Sequence, residues 1–168
     1  MQLNSLNDVF KHEIQDLRSA ETQLVDALPK MVQAASNDEL RQAFQHHLEE
    51  TREHVRRLDE VAAQAGISAQ GTVCKGMAGL IAEGQETISA MGDPTVKDAA
   101  LIAAAQRVEH YEIAAYGTAR TLADELGFDE AKDLLDQNLD EEGQADKLLT
   151  KIATGGMFKA GLNQRAAG

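Results

Sequence analysis

Glu21 stands where an amphipathic helix should carry another leucine. The core-facing series around it reads Phe10, Ile14, Leu17, Glu21, Leu24, Leu28 and Met31, in steps of four and three. A lone buried carboxylate is costly unless it takes up a proton, so either the stripe faces water locally or a cation neutralises the charge. Three further segments repeat the pattern. One runs Leu40, Phe44, His47, then Glu50 or Thr51, then His54, Leu58 and Val61. The next runs Ile102, Ala105, Glu109, Glu112, Tyr116, Ala119 and Ala123. The last runs Ala131, Leu135, Asn138, Glu142, then Ala145 or Asp146, then Leu149 and Ile152.

Groups that share a metal pair must lie in one layer of a bundle, so depth along each helix is the sharper test. Glu21, Glu50, Glu109, Glu112 and Glu142 all fall about 11 to 18 residues from their helix starts, near the middle of helices of about 25 to 35 residues. Solvated glutamates would scatter. The pairs Glu50 with His54 and Glu142 with Asp146 are each four apart and share a helix face. The candidate metal ligands on this reading are Glu21, Glu50, His54, Glu109 or Glu112, and Glu142. His46, His47 and His110 are left open. Glu49, Glu53 and Glu141 are assigned to charged faces, with Glu53 as a substitute for Glu50. Tyr116 is on its stripe one turn from Glu112, where its hydroxyl could bond a ligand.

The elements that must carry these residues can be bounded. The first helix is expected from Ser5 to Ala35 with a bend at Pro29, and the second from Glu39 to Ala65 after a capped turn at Ser36, Asn37 and Asp38. So short a turn makes an antiparallel hairpin. The third long helix starts at Asp93 and Pro94 and ends at Gly127, and the fourth runs from Asp129 to Ala153. The intervening stretch from Gly66 to Gly92 is too long for a hairpin loop, and Met77, Leu80, Ile81, Ile88 and Met91 within it recur at near-helical spacing. A short helix over Lys75 to Ala90 would return the chain along the bundle. The fold class is thus all-α: two antiparallel hairpins joined by one long crossover, the ferritin-like arrangement, over residues 1–154. Residues 155–168 read as a frayed C-terminal tail.

Composition narrows the function. Among 168 residues there are 28 acidic against 16 basic, a formal net charge of −12, which opposes nucleic acid and anionic lipid and attracts cations. No apolar run approaches the ~18 residues of a membrane span, and the start lacks a secretory pattern, so a cytoplasmic protein is expected. Cys74 is the single cysteine, which excludes an internal disulfide and a thiolate cluster. Any metal rests on oxygen and imidazole.

The segments LRSAETQLVDALPKM, HLEETREHVRRLDEV, VEHYEIAAYGTARTLADELG and LDEEGQADKLLTKIA resemble the YciE/YciF-like proteins, a bacterial stress-associated family of the ferritin-like superfamily. The resemblance spans nearly everything from Ser5 to Ala153. It implies a four-helix bundle with an extra crossover helix, a homodimer and a di-iron centre. Ferritin-like di-iron proteins take Glu from two helices and a Glu-x-x-His pair from each of the others. This chain departs from that, with Glu50 and His54 spaced by four and no histidine beside Glu142. Carried over by position, Glu21 and Glu50 with His54 would serve one iron, and Glu109 or Glu112 and Glu142 with Asp146 the other, bridged by Glu50 and Glu142. A site with at most one imidazole suits two Fe ions, or Mn, better than copper or tetrahedral zinc. The function implied is oxidation of Fe(II) or consumption of peroxide. A non-catalytic structural or interaction protein is the rival reading, and nothing indicates the interfaces of a storage cage.

Overall fold

In the computed structural model, residues 3–156 and 159–167 are described. The chain enters through a capping box: Ser5 accepts from the Asp8 amide at 3.2 Å, and Asp8 accepts from the Ser5 amide at 3.0 Å. Helix α1 then runs Leu6–Ala34 and continues past Pro29. Asn37 caps α2, Asp38–Gln64, through the amide of Leu40. After the crossover segment comes α3, Lys75–Ser89, and then α4, Pro94–Glu125, capped by Asp93 with Pro94 in its first turn. The α4 end is closed by Gly127 at φ 72°, a left-handed conformation that lets Phe128 donate back to the carbonyl of Ala123 at 2.9 Å. Helix α5 spans Asp129–Thr154.

Helix direction follows from which residues meet. At one end Phe10 and Ile14 of α1 pack with Leu58 and Val61 of α2, Ala119 and Ala123 of α4, and Ala131 and Leu135 of α5. At the other, Met31 packs with Leu40, Phe44, Leu101, Ile102, Leu149 and Ile152. So α1 and α5 run one way and α2 and α4 the other, as the crossover requires. The four stripes read from sequence line this interior, with Thr51 rather than Glu50 taking the inward place on α2. Between the two apolar ends lies the polar layer. Helix α3 lies against α1 and α4, burying Met77 and setting Leu80 and Ile81 against Leu24 and Leu28.

The described residues after Thr154, expected as a tail, instead fold back. Strands β1, Gly155–Gly156, and β2, Lys159–Ala160, pair antiparallel, and α6, Leu162–Ala166, follows. Leu162 is wholly buried in the cluster of Met31 and Phe44. Gly161 permits the reversal, because a Cβ there would overlap the backbone of Ala153, Thr154 and Gly155.

The turn between α1 and α2 is fastened to α4 by Asp98, a buried carboxylate that accepts from the Ser36 amide at 2.8 Å, the Ser36 hydroxyl at 2.6 Å and the Asn37 amide at 2.8 Å. Bonds to a charged acceptor are about twice as strong as neutral ones, and removing Asp98 breaks three of them at once, all part-buried. Asp98→Ala should therefore cost about 3 kcal/mol, or roughly 10 °C in Tm, by thermal denaturation. A shift below about 1 kcal/mol would mean that water replaces the carboxylate there.

Candidate metal centre

Six side chains from the four long helices meet at mid-height. Glu21, His54, Glu112 and Glu142 are wholly buried, and His47 and Glu109 nearly so. They form two groups that share Glu142: His47, Glu109, Glu112 and Glu142, and Glu21, His54 and Glu142. In each group, one nitrogen or oxygen from every residue lies within 4.8 Å of the others. Glu142 turns a different oxygen to each. Its Oε1 is 2.9 Å from His54 Nδ1, and its Oε2 is 3.6 Å from His47 Nε2. His54 Nδ1 is also 3.3 Å from Glu21, and His47 Nε2 is 3.5 Å from Glu109. A carboxylate so placed can give one oxygen to each of two cations.

Most of these atoms have no hydrogen-bond partner. Among the described residues, eleven buried side-chain nitrogens and oxygens are unsatisfied, and nine of them belong to these six residues. Both oxygens of Glu112, both oxygens of Glu142 and both ring nitrogens of His47 are among them. Since buried polar atoms are normally paired, such a concentration in one layer fits a cation-binding site. Four carboxylates and two imidazoles also form a hard to borderline donor set suited to iron or manganese.

The electrostatics point the same way. Burial, reinforced by the like charges of Glu21 and Glu142, pushes the Glu112 carboxyl well above the usual range. Burial likewise raises Glu109, against the pull of His47, and raises Glu142, against the pull of His54. Burial opposes the charged form of His54, but the hydrogen bond to Glu141 and the nearby carboxylates of Glu142 and Glu21 outweigh it and carry the imidazole up to about 12. Without cations, then, the layer would hold protons.

A ring of outer contacts fixes the ligands. The Tyr116 hydroxyl donates to Glu21 Oε1 and accepts from Asn138 Nδ2 at 3.1 Å. Arg57 donates to Asn138 Oδ1 at 2.8 Å and forks onto Glu141 at 2.6 and 3.1 Å. Glu141 in turn lies 2.7 Å from His54 Nε2. His54 is thereby oriented with Nδ1 toward Glu21 and Glu142, as an outer carboxylate orients a metal-binding imidazole. Arg57 and His54 hold Glu141, despite the opposing effect of burial, at about 2, well below the usual carboxylate range.

The expected ligands divide accordingly. Glu21, His54, Glu109, Glu112 and Glu142 converge, and Glu109 and Glu112 both take part rather than one of them. Glu50 does not join the groups: its side chain is 22% exposed at the edge, 3.2 Å from His46 and 3.4 Å from His47. Asp146 is also outside, accepting from Gln106 at 2.9 Å and facing the exposed His110 at 3.3 Å. Of the two residues expected to bridge, Glu50 and Glu142, only Glu142 is shared by both groups. The expectation of at most one imidazole is corrected too, since α2 supplies both His47 and His54. Glu53 does lie on a charged face with Arg56, as expected. Glu141, assigned to such a face, instead holds His54. His47 could have been found from its own stripe, where His47, Thr51 and His54 follow in steps of four and three.

A ferritin-like four-helix bundle with a buried carboxylate and imidazole layer is what fold and site define. The chain belongs to the family described as Domain of unknown function (DUF892), whose model matches residues 5–167. It is 45% identical over 165 residues to Protein YciF of Escherichia coli K12, covering 98% of this chain and 99% of that one. The crystal structure of the E. coli stress protein YciF superposes with a TM-score of 0.86 at 47% identity, covering 89% of this chain and 94% of the other. YcfI of Rhodopseudomonas palustris, for which a structural role has been suggested, gives a TM-score of 0.87 at 43% identity over 90% of this chain and 97% of that one. A Xanthomonas campestris protein at 18% identity and a TM-score of 0.69 shares the fold, over 87% of this chain and 88% of that one. No helix among the described residues is long and apolar enough to cross a membrane.

Proposed function

We propose that this chain is a cytoplasmic stress protein that holds a carboxylate-bridged pair of iron ions and oxidises Fe(II) or consumes peroxide. The observation that carries the reading is Glu142, with one oxygen in each of the two ligand groups. Glu21 and His54 would serve one ion, His47, Glu109 and Glu112 the other. The iron pair would supply the electrons and the open positions; the protein supplies geometry, charge and exclusion of water. Tyr116 holds Glu21 in place, Glu141 sets the ring of His54, and the apolar clusters above and below close the two ends of the layer. A homodimer belongs to the same reading, on the strength of the family resemblance.

A structural role is the second reading. It draws support from His54, which in protonated form already pairs with Glu21, Glu141 and Glu142 without any metal. Metal analysis of anaerobically purified protein, followed by an optical spectrum on air exposure, separates the two. About two metals per chain and a new charge-transfer band are expected. Protein that takes up no metal from added Fe(II) would establish the structural reading.

A further inference from the structure

The buried ligands can be reached from two clefts, and they differ in chemistry. One, about 50 Å³, opens between α1, α3 and α4 and is walled by Leu24, Leu28, Met31, Leu80, Ile81 and Ile88. Apart from His47 and Glu109, only Lys30 and Gln85 of its lining are polar, so a hydrated dication would find little there to replace its water. The other, about 220 Å³, opens between α2, α4 and α5, with Phe44, Gln144 and Leu148 on its sides and room for several waters. Both have His47 and Glu109 in their linings.

In the second cleft, ligand atoms form a ladder from surface to core. His46, with its side chain 70% exposed, places Nε2 3.2 Å from Glu50 Oε1. Glu50 Oε2 is 3.4 Å from His47 Nδ1, and His47 Nε2 is 3.5 Å from Glu109. The two oxygens of Glu50 thus face opposite ways, one to the exposed imidazole and one to the buried imidazole. His47, only 5% exposed, has neither ring nitrogen in a hydrogen bond, although it lines the cleft. An unpaired donor at that depth is a landing place for a cation.

We propose that the cleft between α2, α4 and α5 is the entrance for divalent cations, and that Glu50 with His46 forms a transient metal site that passes each ion to His47 and Glu109. The proposal rests on the metal-binding reading above and adds a residue that sets the rate of loading without holding the resident ions. An incoming ion exchanges waters for Glu50 and His46 at the mouth. It then moves inward one ligand at a time while Glu50 swings between the two imidazoles. The net charge of −12 draws cations toward such a mouth.

Anaerobic stopped-flow absorption with Co(II), alongside equilibrium metal analysis, tests this on the full chain. Glu50→Gln should still bind the wild-type number of ions at equilibrium but load about tenfold more slowly, a span that local charge readily produces in association rates. Glu50→Asp should recover part of the rate, and His46→Gln should slow loading less than Glu50→Gln. Unchanged loading in Glu50→Gln would overturn the entrance. Loss of an ion at equilibrium would overturn it differently, by making Glu50 a resident ligand. Wild-type protein that binds no Co(II) would defeat the metal reading itself, and this inference with it.

Discussion

Glu142→Gln should cost the chain both metal ions rather than one. The amide keeps the shape of the carboxylate, but it offers a single weak acceptor oxygen and no charge, and it cannot serve two cations at once. Loss of an outer partner of a ligand typically weakens metal binding 10- to 100-fold. Loss of the shared ligand should exceed that, a fall of more than about 100-fold in affinity for each ion, read by titration with Fe(II) or Mn(II) under anaerobic conditions. Oxidation of Fe(II) in air should vanish with it. Glu53→Gln, altering a residue paired with Arg56 on the exposed face, should leave both measurements unchanged. One ion retained at wild-type affinity in Glu142→Gln would show that the two groups are independent sites.

The second large effect concerns stability and pH in metal-free protein. Glu109, Glu112 and Glu142 have folded pKa values raised above the unfolded value of 4.5. Their contribution is thus fully present below 4.5 and is lost as pH rises through the folded values. His54, raised from 6.5 to about 12, acts in the same direction above 6.5. Glu141, lowered to about 2, acts oppositely, supporting the fold above 4.5 and ceasing to do so as pH falls toward 2. Metal-free protein should accordingly be most stable near pH 4.5 and lose Tm steadily toward pH 8.5. Metal reverses the trend because its ligands must be deprotonated, so the Tm difference between loaded and chelator-treated protein should widen with pH. At metal near 1,000 times its Kd the linkage is about 4 kcal/mol, or roughly 10 °C for a chain of this size. Glu112→Gln, which removes a carboxylate with no partner on either oxygen, should raise the metal-free Tm at pH 8. Scanning fluorimetry from pH 4 to 8.5 suffices, and a metal-free Tm that climbs from pH 5.5 to 8.5 would contradict the assignment.

Much of this was legible because long amphipathic helices repeat their burial every three or four residues. The stripes of α1 and α4 are buried at every position expected, carboxylates included. On α2 the sequence offered two equally periodic routes from His47 to His54, through Glu50 or through Thr51. Periodicity cannot choose between them. Packing does: a layer already holding four carboxylates gains from a small Thr51, whose hydroxyl bonds the His47 carbonyl at 2.8 Å, and not from a fifth charge. The role of Glu141 was hidden for a related reason. It is one residue off its stripe, and only the position of Arg57 on another helix turns it toward His54. The folded-back C-terminus depends on backbone approach at Gly161, which has no periodic signature.

The six ligands divide evenly between the halves of the chain. Glu21, His47 and His54 belong to the hairpin of α1 and α2; Glu109, Glu112 and Glu142 belong to that of α4 and α5. Each hairpin is closed by a short loop and is of low contact order, so its contacts can form early, whereas joining the two must first meet the closure entropy of the crossover. Neither half alone can grip a cation as the whole does. On the proposed reading metal would therefore reward the least local event in folding, and a chain that had captured its ions would report that its two halves have found one another.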